Sequence, residues 1–113
     1  MISNKIAAIS YIVSSSFLFC ANIYVVDYAS QADFKAYLVD YASQADLKAH
    51  IVDYSSQAKG DENWYFVDYA SQADSKIYWV KYASQADIKV KFVKYKSQAE
   101  WNKSHSLIGR IDK

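Results

Sequence analysis

The sequence predicts an all-β domain built from six strand-and-turn units, with short 3₁₀ or helical turns and two matched halves. Three observations predict it. A thirteen-residue pattern recurs six times. One part of each unit is rich in Val, Ile, Tyr, Phe and Trp, the residues that suit strands. The other part, Ala-Ser-Gln-Ala-Asp, has no β-branched residue and suits a single tight turn.

The chain has 113 residues, enough for one domain. Apolar residues make up 52% and charged residues 22%, with a formal net charge of +1. That balance argues against a disordered chain and against a nucleic-acid binder driven by bulk charge. A single cysteine, Cys20, excludes a disulfide framework and a cysteine-based zinc site.

The first element is an export segment. Lys5 is the only charge before Asp27, and an apolar run follows from Ile6 to Ala21. A positive start, an apolar middle and small residues at the end describe a secretory signal peptide. The run is short for a membrane anchor, and Ser10, Ser14, Ser15 and Ser16 weaken it further. Residues 1–21 are therefore expected to be a cleaved signal, leaving a periplasmic or extracellular protein. Lipid anchoring at Cys20 is the lesser expectation, because Phe19 is too large for a lipoprotein motif.

Residues 22–103 hold the repeats. They align on Val26, Val39, Val52, Val67, Val80 and Val93. Two residues later come Tyr28, Tyr41, Tyr54, Tyr69, Tyr82 and Tyr95. Each unit then carries Ser-Gln-Ala, as in Ser43-Gln44-Ala45. Strand composition is densest over Ala36 to Tyr41 and its equivalents. Phe34, Ala36 and Leu38 share one face, and Lys35, Tyr37, Val39 and Tyr41 share the other. Bulk on both faces predicts strands covered on both sides. A unit this short cannot hold a strand and a crossover helix. The third and fourth copies are separated by two extra residues, within Lys59-Gly60-Asp61-Glu62-Asn63. This turn-like cluster reads as the connection between halves. Residues 104–113 read as a mobile C-terminal tail.

Charge divides along the same line. Ile23 to Asp68 carries eight acids and three bases, whereas Tyr69 to Lys113 carries four acids and nine bases. The residue after the recurring valine is Asp in the first four copies and Lys81 and Lys94 in the last two. One reading sets the halves side by side, pairing opposite charges across strands. The other makes a basic face for a polyanion.

Val39-Asp40-Tyr41-Ala42-Ser43-Gln44-Ala45-Asp46-Leu47-Lys48, its repeats, Trp64-Tyr65-Phe66-Val67 and the closing Lys96-Ser97-Gln98-Ala99-Glu100-Trp101-Asn102-Lys103 resemble the bacterial septafoil-knot domain family. The resemblance runs from Ile23 to about Lys103. It implies that the two halves are intertwined as short strands and turns, with a backbone knotted through seven crossings. It implies no activity, catalytic residue or cofactor.

The candidate sites are few. A nucleophilic serine needs an adjacent base with an orienting partner. His50 and His105 do not recur with the Ser-Gln motif, so the motif reads as structural. Six buried glutamines forming a polar ladder between the halves are the expected arrangement. The Asp33–Lys35, Asp46–Lys48, Asp74–Lys76 and Asp87–Lys89 pairs read as solvated edge charges. Trp64, Trp79 and Trp101 are the tentative ligand-binding residues, because exposed indoles stack on sugars or bases. No enzyme activity, cofactor or metal site is expected. The expected role is an exported structural or interaction domain, with a glycan- or polyanion-binding module as the alternative. An envelope protein or a polysaccharide is the expected partner, while nucleic acid and a stable transmembrane span are not expected.

Overall fold

The computed structural model describes residues 19–113. Of the expected export segment, residues 1–18 lie outside the described residues. Cys20 and Ala21 belong to the domain: Cys20 bridges to Lys59, and Ala21 is a fully buried strand residue.

Seven strands form one sheet: β1 (Ala21–Val25), β2 (Phe34–Leu38), β3 (Leu47–Ile51), β4 (Asn63–Phe66), β5 (Ser75–Trp79), β6 (Ile88–Phe92) and β7 (Glu100–Trp101). The strands start earlier than composition suggested and stop before the recurring valine. Val39 still donates to the Val90 carbonyl, but the chain then leaves the sheet, and Tyr41 becomes the cap of the 3₁₀ turn Ala42–Gln44. The order round the sheet is β4, β1, β5, β2, β6, β3, and a β3–β4 pairing closes it into a six-stranded parallel barrel. β7 adds antiparallel to β3.

The halves interleave completely. Each of β1, β2 and β3 lies between two of β4, β5 and β6. The link between successive units therefore carries the chain over one strand of the other half. Val25 and Phe34, the end of β1 and the start of β2, both face Ile77 of β5. The 3₁₀ turn Ala29–Gln31 lies on the outside of this crossing.

The register explains the core. Each step round the barrel shifts the pairing by two residues, as in Ile23↔Ser75, Phe34↔Ile77 and Ala36↔Ile88. Equivalent positions of the six copies therefore lie in rings at one height. The middle ring is Ile23, Ile77, Ala36, Val90, Ala49 and Trp64, every one of them fully buried. The volume of Trp64 is matched by Ala36 and Ala49, which leave room for its indole. Phe66, Trp79 and Phe92 lie one ring further on. Their rings pack edge-on or tilted against Trp64 at centroid distances of 5.6 to 6.5 Å.

The recurring aspartates join one half to the other and are not loose edge charges. Asp46 donates its amide to the Lys89 carbonyl, and its carboxylate accepts the Lys89 amide at 2.8 Å. Asp33 does the same with Lys76, Asp74 with Asn22, and Asp87 with Lys35. A carboxylate at the strand entrance thus supplies the acceptor that the first amide of the neighbouring strand would otherwise lack.

The C-terminal residues are docked, not mobile. Ile111 is fully buried among core residues, and Ser75 donates to its carbonyl at 2.8 Å. Asp61, from the connection between halves, holds this segment. Its carboxylate accepts the amides of Gly109, Ile111 and Asp112 and the indole Nε1–H of Trp101. Gly60 turns the connection at φ +83°, a conformation that favours glycine. Asp112 is pushed up to about 7 by burial, by its hydrogen bond to Asp61 and by the charge of that carboxylate. Burial also opposes the ionised Asp61. The donors from Asp112, Gly109 and Trp101 outweigh it and hold Asp61 below its ordinary value.

Three outcomes are expected. Interleaving makes almost every strand contact non-local, so refolding from denaturant should take on the order of seconds or longer. A millisecond stopped-flow trace would refute this. Asp46→Ala should lower the unfolding free energy by about 1.5–3 kcal/mol, read from urea midpoints. Asp27→Ala, at an exposed position, should stay within about 0.5 kcal/mol. The folded chain keeps a proton on Asp112 that the unfolded chain releases near 3.8. That contribution is complete at low pH and is lost as pH rises towards about 7. The thermal midpoint should therefore respond to pH across this window, and Asp112→Asn should remove that component.

Candidate functional site

The outward face of the barrel carries one cleft several times over. The first is lined by Tyr24, Val26, Asp27 and Gln31, with Ala70 and Lys76 from the other half. The second has Tyr37, Val39, Asp40 and Gln44, with Ala83 and Lys89 opposite. A third replaces the tyrosine with His50, beside Asp53, Gln57 and Lys96. A fourth has Tyr65, Asp68 and Gln72 facing Asn22. Their volumes run from about 360 to about 510 Å³. The repeat places an aromatic or imidazole ring, a carboxylate and a carboxamide together each time. The opposite wall always comes from the interleaved half.

Beside the clefts stand the recurring tyrosines. Tyr28, Tyr41, Tyr54, Tyr69, Tyr82 and Tyr95 are between 56% and 68% exposed. Each caps a 3₁₀ turn that ends in the recurring glutamine. All six glutamines are exposed, so the expected buried ladder does not exist. The barrel interior is filled by apolar rings and has no need of amides. The glutamine amide is freer outside, where Gln57 and Gln98 accept the backbone amides of Tyr54 and Tyr95 at 3.2 and 3.3 Å. The glutamine side chain, not serine, thus provides the local cap in these two turns.

The three tryptophans are brought together only in part, and none offers an open stacking face. Trp64 is wholly buried, with its Nε1–H donating to the Asp61 carbonyl at 2.7 Å. Trp79 is half-buried against Trp64 and Phe92. Trp101 sits apart, stacked on His105 at 5.5 Å and bonded to Asp61. The exposed aromatic surface belongs to tyrosine. The signal for it was the same recurrence read above, since an exposed ring repeated in every copy cannot be explained by packing.

The two histidines and the buried carboxylate pair are engaged in the fold. His50 Nδ1 lies 3.2 Å from the Val93 carbonyl. His105 Nε2 lies 3.0 Å from the Asp87 carbonyl, while its Nδ1 accepts the Leu107 amide. The Asp61–Asp112 pair is engaged by backbone amides of the docked C-terminal segment. The charge difference between the halves does not become two faces, because units of the two halves alternate round the barrel, as in Asp27, Lys81, Asp40 and Lys94 at the strand ends. Lys48–Glu100, at 2.9 Å, joins strands lying side by side. Among the described residues, no helix is long and apolar enough to cross a membrane.

No curated protein and no solved structure matches the chain. A family model described as the 7(1) septoil knot domain matches residues 20–102. The match covers all six units, the connection at Asp61 and the closing strand β7. With that span and this interleaved barrel, the chain belongs to the septoil knot domain family.

Proposed function

We propose that the chain is an exported, non-catalytic binding module whose ligand is an extended carbohydrate polymer. One observation carries this reading: a tyrosine more than half exposed recurs in all six copies beside a cleft or its equivalent. Inward positions have diverged freely between copies, as Ala21, Phe34, Leu47 and Ser75 illustrate. The outward tyrosine and glutamine have not.

The chemistry suits a saccharide. A sugar ring presents an apolar C–H face and a rim of hydroxyls. A tyrosine ring covers the first at low entropic cost. A glutamine amide, an aspartate and a lysine supply donors and acceptors for the second. Each shallow cleft alone would bind weakly. A polymer that engages several gains through effective concentration, by a factor of about 10² to 10⁴. The rigid barrel fixes the spacing of these contacts. Export rests on the expected signal segment, and envelope polysaccharide is the matching environment.

Retention on an immobilised polysaccharide panel tests the reading, with a glycan array to define the sugar. Tyr41→Ala alone should weaken retention only a few-fold. Replacing all six recurring tyrosines should reduce it by about a hundredfold or more, with the circular dichroism spectrum unchanged. Absence of retention on every polysaccharide and every arrayed glycan would end the proposal.

A further inference from the structure

We propose that the mouth of the barrel at the C-terminal ends of its strands is a self-association surface, and that its occupant is a second copy of this chain seated mouth to mouth. The two mouths are not alike. The one where the strands begin is plugged by the C-terminal segment, with Ile111 wholly buried. No segment covers the other among the described residues.

The constant two-residue shift defines the ring at that mouth. In order it runs Val25, Trp79, Leu38, Phe92, Ile51 and Phe66. The three aromatic side chains fold inward: Phe92 lies 6.0 Å from Trp79 and 6.2 Å from Phe66. The three aliphatic side chains between them remain in solvent, with Val25 39%, Leu38 47% and Ile51 44% exposed. A continuous apolar ring at the end of a barrel is a surface that water disfavours.

Charge complementarity identifies the occupant. The strand hydrogen bonding continues to the recurring valine, as in Val26 to the Ile77 carbonyl. The next residue is therefore the first beyond the strand at this mouth. In barrel order these residues are Asp27, Lys81, Asp40, Lys94, Asp53 and Asp68, all exposed. Among the described residues, none of the six forms an ion pair within the chain. Acid and base alternate over most of this rim. When one copy is turned over by a two-fold axis and offset by one strand, both lysines of each copy face aspartates of the other, so that four of the six rim contacts join Lys to Asp and two join Asp to Asp. The rim is thus self-complementary, as an isologous interface requires. The apolar ring supplies affinity and the rim supplies register. The belt of tyrosines lies round the outside, but Asp27, Asp40, Asp53 and Asp68 belong to the clefts as well as to the rim. Lys81 and Lys94 line none of the four clefts, so a change at these lysines separates self-association from carbohydrate binding.

Analytical ultracentrifugation of the purified protein, from micromolar to millimolar concentration, tests it. A reversible dimer is expected. Leu38→Asp should weaken it by about a hundredfold, since the leucine is buried twice in a two-fold interface. The paired variant Lys81→Asp and Lys94→Asp touches only exposed rim positions and should preserve the fold. It should also weaken the dimer, and high salt should narrow its difference from the unaltered protein. A monomer at every concentration would overturn the proposal, as would a dimer indifferent to both variants. So would a monomer that binds detergent micelles or lipid vesicles through this mouth.

Discussion

Neither half of this chain contains a strand pair of its own. β1, β2 and β3 make no sheet contact with one another, and neither do β4, β5 and β6. Every strand-to-strand pairing of the barrel runs across the halves. Backbone groups withdrawn from water must be paired, so neither half can persist as a sheet without the other. The rest of the architecture follows. The links must pass over strands of the opposite half, the turns must lie outside, and the core must be assembled in rings drawn from both halves. Interleaving of this kind is also the geometric condition for the knot after which the family is named. A threaded backbone is otherwise almost absent from proteins.

Much of this was legible in the residues, and the failures have a common cause. The six units, the two halves, the connection at Asp61 and the all-β class could be read from Val26 to Val93 and from the single break in spacing. That Phe34, Ala36 and Leu38 share a face followed from alternation, but bulk on both faces hid which of them turns inward. The interleaved order did not, because periodicity describes one strand and says nothing of its neighbours; the family resemblance supplied it. Recurrence alone cannot place the glutamines, which are exposed in all six copies. Recurrence marks an equivalent environment, and an exposed environment can be equivalent six times. Nor does aromatic size separate Trp64, buried in the middle ring, from Tyr41, exposed on a turn; the position within the unit does. The tight pairing of Asp46 with Lys89 was hidden because its partner lies in another strand whose register no local pattern reveals.

The unit divides its labour between its two faces. Inward positions answer collectively, ring by ring, so that Trp64 is possible because Ala36 and Ala49 are small. A ring can therefore change composition widely while its summed volume is kept. Outward positions answer singly, each to its own cleft and turn. Trp64, Phe66, Trp79 and Phe92 all belong to the second half, while the first contributes Ile23, two alanines and three exposed aliphatics at the same heights. The two halves have thus specialised in bulk as well as in charge, and neither could be exchanged for a copy of the other without leaving rings overfilled or hollow.

The amide of Lys113 donates to the carbonyl of Cys20 at 3.0 Å. The chain enters and leaves the barrel side by side, at the pole stoppered by Ile111. The described chain therefore begins and ends at that pole, so that whatever continues from Lys113 leaves the barrel opposite its open mouth.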